Sequence, residues 1–149
     1  MPLHNRHVQV AKNAVISGTT YYPGGSKYYT NWGYRELHLV MRRSAETGSG
    51  TLTVTVESFN PVSNLWTPLL DGAGAAIGPV AYAADATDAA GADHECRIGQ
   101  GVLSGDADET LTTNTTDRWY NQSVPMYFRI KCVSAGTTDT VDIVYYLYV

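Results

Sequence analysis

The chain has 149 residues, a single-domain length at which about 68–70% of the surface exposed by the unfolded chain is buried on folding. Charged residues make up 16% of it against a usual ~25%, and the net charge is −4 with Arg42-Arg43 as the one basic pair, which excludes the clustered cations of a nucleic-acid binder. No stretch approaches 18 consecutive apolar residues and MPLHNRHVQV lacks the cationic-then-apolar start of a signal peptide, so the expectation is a soluble protein made in the cytoplasm, without a membrane partner.

Residues 1–10 read as an N-terminal arm in which His4 and His7 flank Arg6, and His7–Ser17 reads as a weak strand. The next segment, TTYYPGGSKYYTNWGY, is the most distinctive. Tyr21, Tyr22, Tyr28, Tyr29, Trp32 and Tyr34 surround Pro23-Gly24-Gly25, whose turn brings several rings together. Tyr and Trp join apolar area to a hydrogen-bonding tip, so the rings suit three uses: covering one end of the domain, a protein interface, or a stacking platform for sugars.

Strict alternation follows. YRELHLVMRR places Leu37, Leu39 and Met41 inward and Glu36, His38 and Arg42 outward; TLTVTVESF does the same with Leu52, Val54 and Val56 against Thr51, Thr53, Thr55 and Glu57. The Gly-containing link SAETGSG between them predicts a hairpin, and Trp66–Leu70 predicts a short strand.

The stretch 71–95 is then a long loop. Within DGAGAAIGPVAYAADATDAAGAD stand ten alanines, four glycines and four aspartates. Gly72, Gly74, Gly78, Pro79 and Gly91 break every long helical reading, leaving at most a short helical piece at Ala81–Ala90. So few large side chains offset little ordering entropy, and the segment is expected to be mobile until Ile77, Val80 and Tyr82 find a partner's surface.

Weaker strands are expected at Arg97–Leu103 and Tyr120–Ser123. MYFRIKCV alternates again, with Phe128, Ile130 and Cys132 inward, and SAGTTDT predicts a second hairpin into VDIVYYLYV. That last strand carries Val141, Ile143, Tyr145, Leu147 and Val149 on one face and Val144, Tyr146 and Tyr148 on the other. Apolar on both faces, it is expected in the middle of a sheet, with the core on one side and a loop, arm or neighbouring subunit on the other. The whole pattern predicts one all-β domain over residues 1–149, an antiparallel β-sandwich or jelly roll with long loops.

Catalytic motifs are missing from the chain: there is no G-x-S-x-G, Walker loop or H-E-x-x-H, so no enzyme and no cofactor are expected. Asp85, Asp88, Asp93, His94, Glu95 and Cys96 mix hard and soft ligands without the spacing of a calcium or zinc site, and the Asp106–Glu109 run is similar; both read as solvated acidic loops, with a bound ion as the alternative. Cys96 and Cys132 are two free thiols or one bridge, and Cys132 alternates with core residues. Residues 1–43 sum to +5, residues 44–117 to −10 and residues 118–149 to +1. Either the loops simply carry the charges, or Arg42, Arg43 and the rest of the basic region of one copy meet the acidic middle of another.

The segments YRELHLVMRRSAETGSGTLTVTVESFNPVSNLWTPLLDGAGAAIG and VPMYFRIKCVSAGTTDTVDIVYYLYV, together roughly half of the chain, resemble small β-rich virion proteins of tailed bacteriophages. The resemblance implies a capsid decoration or cement protein: a homotrimer on the virion surface that binds the outside of the major capsid protein shell and stabilises it by bridging subunits. It transfers no catalytic residue. The Tyr-rich loop at 19–34 and the acidic stretch at 71–117 depart from it. A phage tail or head–tail connector subunit and a carbohydrate-binding module stacking sugars on Tyr28, Tyr29 and Trp32 are the alternatives. Candidate interface residues are Arg6, Tyr21, Tyr22, Tyr28, Tyr29, Trp32, Arg42, Arg43, Ile77, Val80, Tyr82, Tyr146 and Tyr148.

Overall fold

A computed structural model describes residues 5–47, 50–81, 93–99, 117–120, 122–136 and 138–149. Its strands are β1 (Arg6–Ile16), β2 (Thr19–Tyr22), β3 (Tyr29–Thr30), β4 (Glu36–Thr47), β5 (Leu52–Asn60), β6 (Leu65–Pro68), β7 (Val80–Ala81), β8 (Asp93–Gly99), β9 (Asp117–Tyr120), β10 (Tyr127–Ser134) and β11 (Thr138–Tyr148). The described residues contain no helix. A first sheet runs in the order β1-β11-β4-β8-β9; a second runs β2-β10-β5-β6, with β3 beside β10 and β7 beside β5. All pairs are antiparallel except β8 with β9.

The alternating residues do what period two requires. Leu37, Leu39 and Met41 of β4 and Val141, Ile143, Tyr145 and Leu147 of β11 face Leu52, Val54 and Val56 of β5 and Phe128, Ile130 and Cys132 of β10, and each is fully buried. Every such large side chain contributes roughly 1.5–3 kcal/mol, so this inter-sheet layer is the core of an all-β sandwich. The final strand is interior to its sheet, with β1 on one side and β4 on the other. Both cysteines are buried and outside any disulfide, one in each sheet.

Both expected hairpins are corrected. β4 and β5 lie in different sheets, and so do β10 and β11, so SAETGSG and SAGTTDT carry the chain across the sandwich and do not turn back within a sheet. The two crossings run side by side: Ala135 N–H donates to Thr51 O at 3.0 Å, and Gly50 packs backbone to backbone on Gly136. Arg43 closes the gap from inside. Its Nη1 donates to Gly50 O at 3.3 Å and to Asp139 Oδ1 at 3.4 Å, and both charged side chains are 1% exposed. The alternation gives the inward faces of β4, β5, β10 and β11, except that Val149 lies beyond the end of β11 and is 58% exposed.

The N-terminal arm is corrected over residues 6–10, which belong to β1 and pair with β11 from Arg6↔Leu147 onward. The long loop expected at 71–95 is corrected at both ends: Asp93, His94 and Glu95 belong to β8, and residues 71–81 are held on the domain. Ile77 is fully buried in the domain's own core, and residues 69–81 line the open edge of β5. There Val54 N–H donates to Pro79 O and Val56 N–H to Ile77 O, while Leu69 N–H donates to Val56 O. Gly78 is what permits this, because a Cβ there would lie 1.7 Å from Val54 O. Backbone bonds along an edge thus hold a segment whose composition alone suggested mobility. Residues 82–92, including Tyr82 and most of the short helical piece expected at Ala81–Ala90, lie outside the described residues.

Candidate functional site

The second sheet turns its outward residues into a continuous band of rings. Asn31 sets one end. Its buried side chain accepts from Tyr34 N–H at 3.0 Å and donates to Tyr34 O and Val124 O, while its own N–H donates to Met126 O at 2.7 Å. This pins the loop before β4 and leaves the neighbouring Trp32 58% exposed. The Trp32 ring meets Tyr127 edge-on at 6.2 Å, and Tyr127 meets Tyr28 at 4.9 Å. Tyr28, 43% exposed, stacks on Phe59 at 5.5 Å and 19°, and Phe59 leans on Trp66 at 4.8 Å.

Arg129 continues the row. Its guanidinium carbon sits 4.2 Å from the Trp66 ring centre and 4.0 Å from that of Tyr21, so the cation is held between two aromatic faces. Arg129 Nε donates to Glu57 Oε2 at 2.5 Å, and Lys131 Nζ lies 3.9 Å from Glu57 Oε1. Glu57 therefore holds two cations with one carboxylate. Strand pairing places these groups side by side: Arg129 is opposite Glu57, Lys131 opposite Tyr21, and Phe59 opposite Trp66.

Period two splits the aromatic loop. Tyr21, Tyr28 and Trp32 join the outer band, whereas Tyr22 and Tyr29 pack against the core; Tyr29 touches Phe128 at 5.6 Å and Tyr145 at 5.1 Å. Burial raises both hydroxyls above their ordinary value, Tyr22 with a further push from Cys132, and Tyr29 from Tyr22 and Cys132. Phe59, Trp66, Tyr127 and Arg129 had not been singled out by the sequence reading. They come from three strands, and their one local signal is the outward parity of Phe59, Tyr127 and Arg129 in strands whose inward residues alternation identifies.

The remaining candidates lie elsewhere. Tyr146 and Tyr148 are on the outer face of the first sheet, with Tyr146 stacked on His7 at 5.0 Å and on Tyr148 at 6.2 Å. His38 lies beside both rings, with its Nε2 3.4 Å from Glu95 Oε2. His38 and Glu36 face outward as expected but are each only 7% exposed, because neighbouring side chains roof them over. Arg6 is exposed on β1. Arg42 is also exposed, and its Nε donates to Asp93 Oδ1 at 2.7 Å. Arg43 and Ile77 are corrected as surface candidates, since both are buried. Val80 lies in β7, and Tyr82 is outside the described residues. Some of the charge asymmetry is thus resolved within one chain, through Arg42 with Asp93, while Arg97 with Glu36 pairs the minority charge of each region.

The mixed cluster around His94 is spread along an extended strand. His94 and Cys96 are buried on one face of β8, and Asp93 and Glu95 stand on the other. Asp85 and Asp88, the Asp106–Glu109 run and residues 100–103 of the strand expected at Arg97–Leu103 lie outside the described residues. Burial pushes the Cys132 thiol up to about 12, which keeps it protonated and unreactive at neutral pH. Comparison of the chain with protein-family models, with curated proteins and with solved structures gives no match.

Proposed function

We propose that this chain is a structural virion protein, a decoration or cement protein that sits outside a major capsid shell and bridges neighbouring subunits, acting by binding and not by turnover. One observation carries the reading. The ring band on the second sheet is exposed yet braced, with each ring held by the next, so it offers Tyr, Trp and Arg side chains that have little freedom left to lose on docking. The phage proteins that residues 34–78 and 124–149 resemble supply the partner: a symmetric shell. Many copies of a modest interface, repeated by symmetry and joined as a homotrimer, add avidity that one domain lacks.

Shells stripped of this chain test the proposal. Purified protein added back is expected to co-sediment with them and to raise their resistance to heat, and Trp32→Ala or Tyr28→Ala is expected to abolish both effects while the variant remains folded. Failure of the wild-type chain to bind shells, or its binding to isolated tails or connectors instead, would replace the decoration role.

A further inference from the structure

We infer that the ring band docks onto an acidic protein segment, with Lys131 receiving a carboxylate from the shell subunit. The inference rests on the proposed docking role and specifies what the face recognises.

The first argument is a count of charge. The strands of the second sheet contribute three charged residues to the outer face: Glu57, Arg129 and Lys131. Arg129 takes the close bond to Glu57 and is enclosed by Tyr21 and Trp66, leaving its side chain 15% exposed. Lys131 has the long contact, 3.9 Å, and its side chain is 33% exposed. One positive charge is therefore left over, on the more accessible cation. Docking an apolar face over this group would strip its water, and an uncompensated charge without water is costly unless the partner brings the opposite sign.

The second argument is the orientation of the rings. A pyranose stacks on an open aromatic face, yet Trp66 and Tyr21 turn faces to Arg129, and Tyr28 and Phe59 turn faces to each other. Each of these four rings therefore has one face already covered, which leaves a pyranose less open surface to stack on. Lys131, the accessible cation beside them, complements carboxylate oxygens.

Binding to stripped shells, measured against salt for the wild type, Lys131→Gln, Lys131→Glu and Trp32→Ala, decides the matter. The expected result is wild-type affinity that falls with salt, about a threefold loss for Lys131→Gln and about tenfold or more for Lys131→Glu at low ionic strength, with the difference shrinking as salt rises. Thermal melts confirm that each variant is folded, and Lys131→Gln serves if the reversal disturbs Glu57. A zero-length carbodiimide linker should join Lys131 to an Asp or Glu of the shell subunit, and peptide mass spectrometry identifies it. If Trp32→Ala loses binding while both Lys131 variants bind like wild type at every salt concentration, the acidic partner is wrong and the docking role stands. If the wild type binds no shell, both fall. Saturable binding on a glycan array that disappears in Trp32→Ala would overturn the inference in favour of a sugar.

Discussion

Gly50 and Gly136 touch through their backbones where the two inter-sheet crossings meet, and the contact is asymmetric. A Cβ built on Gly50 would lie 2.2 Å from Gly136 N, whereas one on Gly136 would lie 3.4 Å from Gly50 N, an ordinary contact. Gly50→Ala is expected to destabilise the fold by about 1–3 kcal/mol, the usual cost of forcing atoms into a packed site, and Gly136→Ala by much less. Urea denaturation of the two variants checks the order; equal losses would show that the crossings are not packed as described.

Arg43 and Arg42 are neighbours in sequence with opposite fates. Arg43 is buried with Asp139, so Arg43→Met should cost about 3–5 kcal/mol by leaving a buried carboxylate unpaired, and adding Asp139→Leu should restore a large part of the loss. Arg42 holds Asp93 at the surface, and Arg42→Met should leave the unfolding midpoint nearly unchanged. A double-mutant cycle on Arg43 and Asp139 measures the coupling directly.

The segment from Leu69 to Ala81 should behave as part of the domain. Ile77→Ala is expected to cost about 2–5 kcal/mol, as for other fully buried large aliphatics. Amides of Val54, Val56, Leu69 and Ile77 should exchange slowly in the free protein, since each donates to a backbone carbonyl along the β5 edge. Rapid exchange at these four positions would show that the segment folds only on a partner.

Alkali should weaken the fold through groups held neutral by burial. Burial raises Cys132 from 9.0 to about 12, and burial followed by a lowering from Arg6 and a rise from Tyr29 takes Tyr145 from 10.0 to about 12. The unfolded chain releases these protons first, so the folded state binds more protons in that window and stability falls as pH rises. It is fully present below about 9 and lost on the way to about 12. Denaturation midpoints measured up this range should fall for the wild type, with a smaller fall in Cys132→Ala at the lower end and in Tyr145→Phe at the upper end. Tyr145→Phe should also leave neutral-pH stability intact or slightly higher, because its hydroxyl is buried without a hydrogen-bond partner among the described residues.

The strand faces were legible because alternation is a local signal: Leu52, Val54 and Val56 announce their direction wherever the strand is placed. Sheet membership was not, because the same Gly-containing link serves a hairpin or a crossing, and the choice is made by pairing with strands far along the chain, β4 with β11 and β5 with β10. The candidate site was half legible for a similar reason. Tyr28 and Trp32 stand in a dense aromatic run, while Phe59, Trp66 and Tyr127 are single rings in separate strands that only the pairing of β5 with β6 and β10 assembles. Ile77 was misjudged because small residues looked unable to hold a segment, when their smallness is what lets the backbone approach β5.

The position of β11 has a consequence for biosynthesis. β1 and β4 are not paired with each other; each is joined to the first sheet through residues 138–148, which the ribosome makes after both. A nascent chain that has emerged as far as β10 can assemble much of the second sheet, but β1 and β4 still lack the strand that lies between them. Contact order is accordingly high, and the first sheet closes only once residues 138–148 have been made. Truncation within β11 should thus yield aggregation instead of a slightly weakened domain, because β1 and β4 would be left without the strand that joins them.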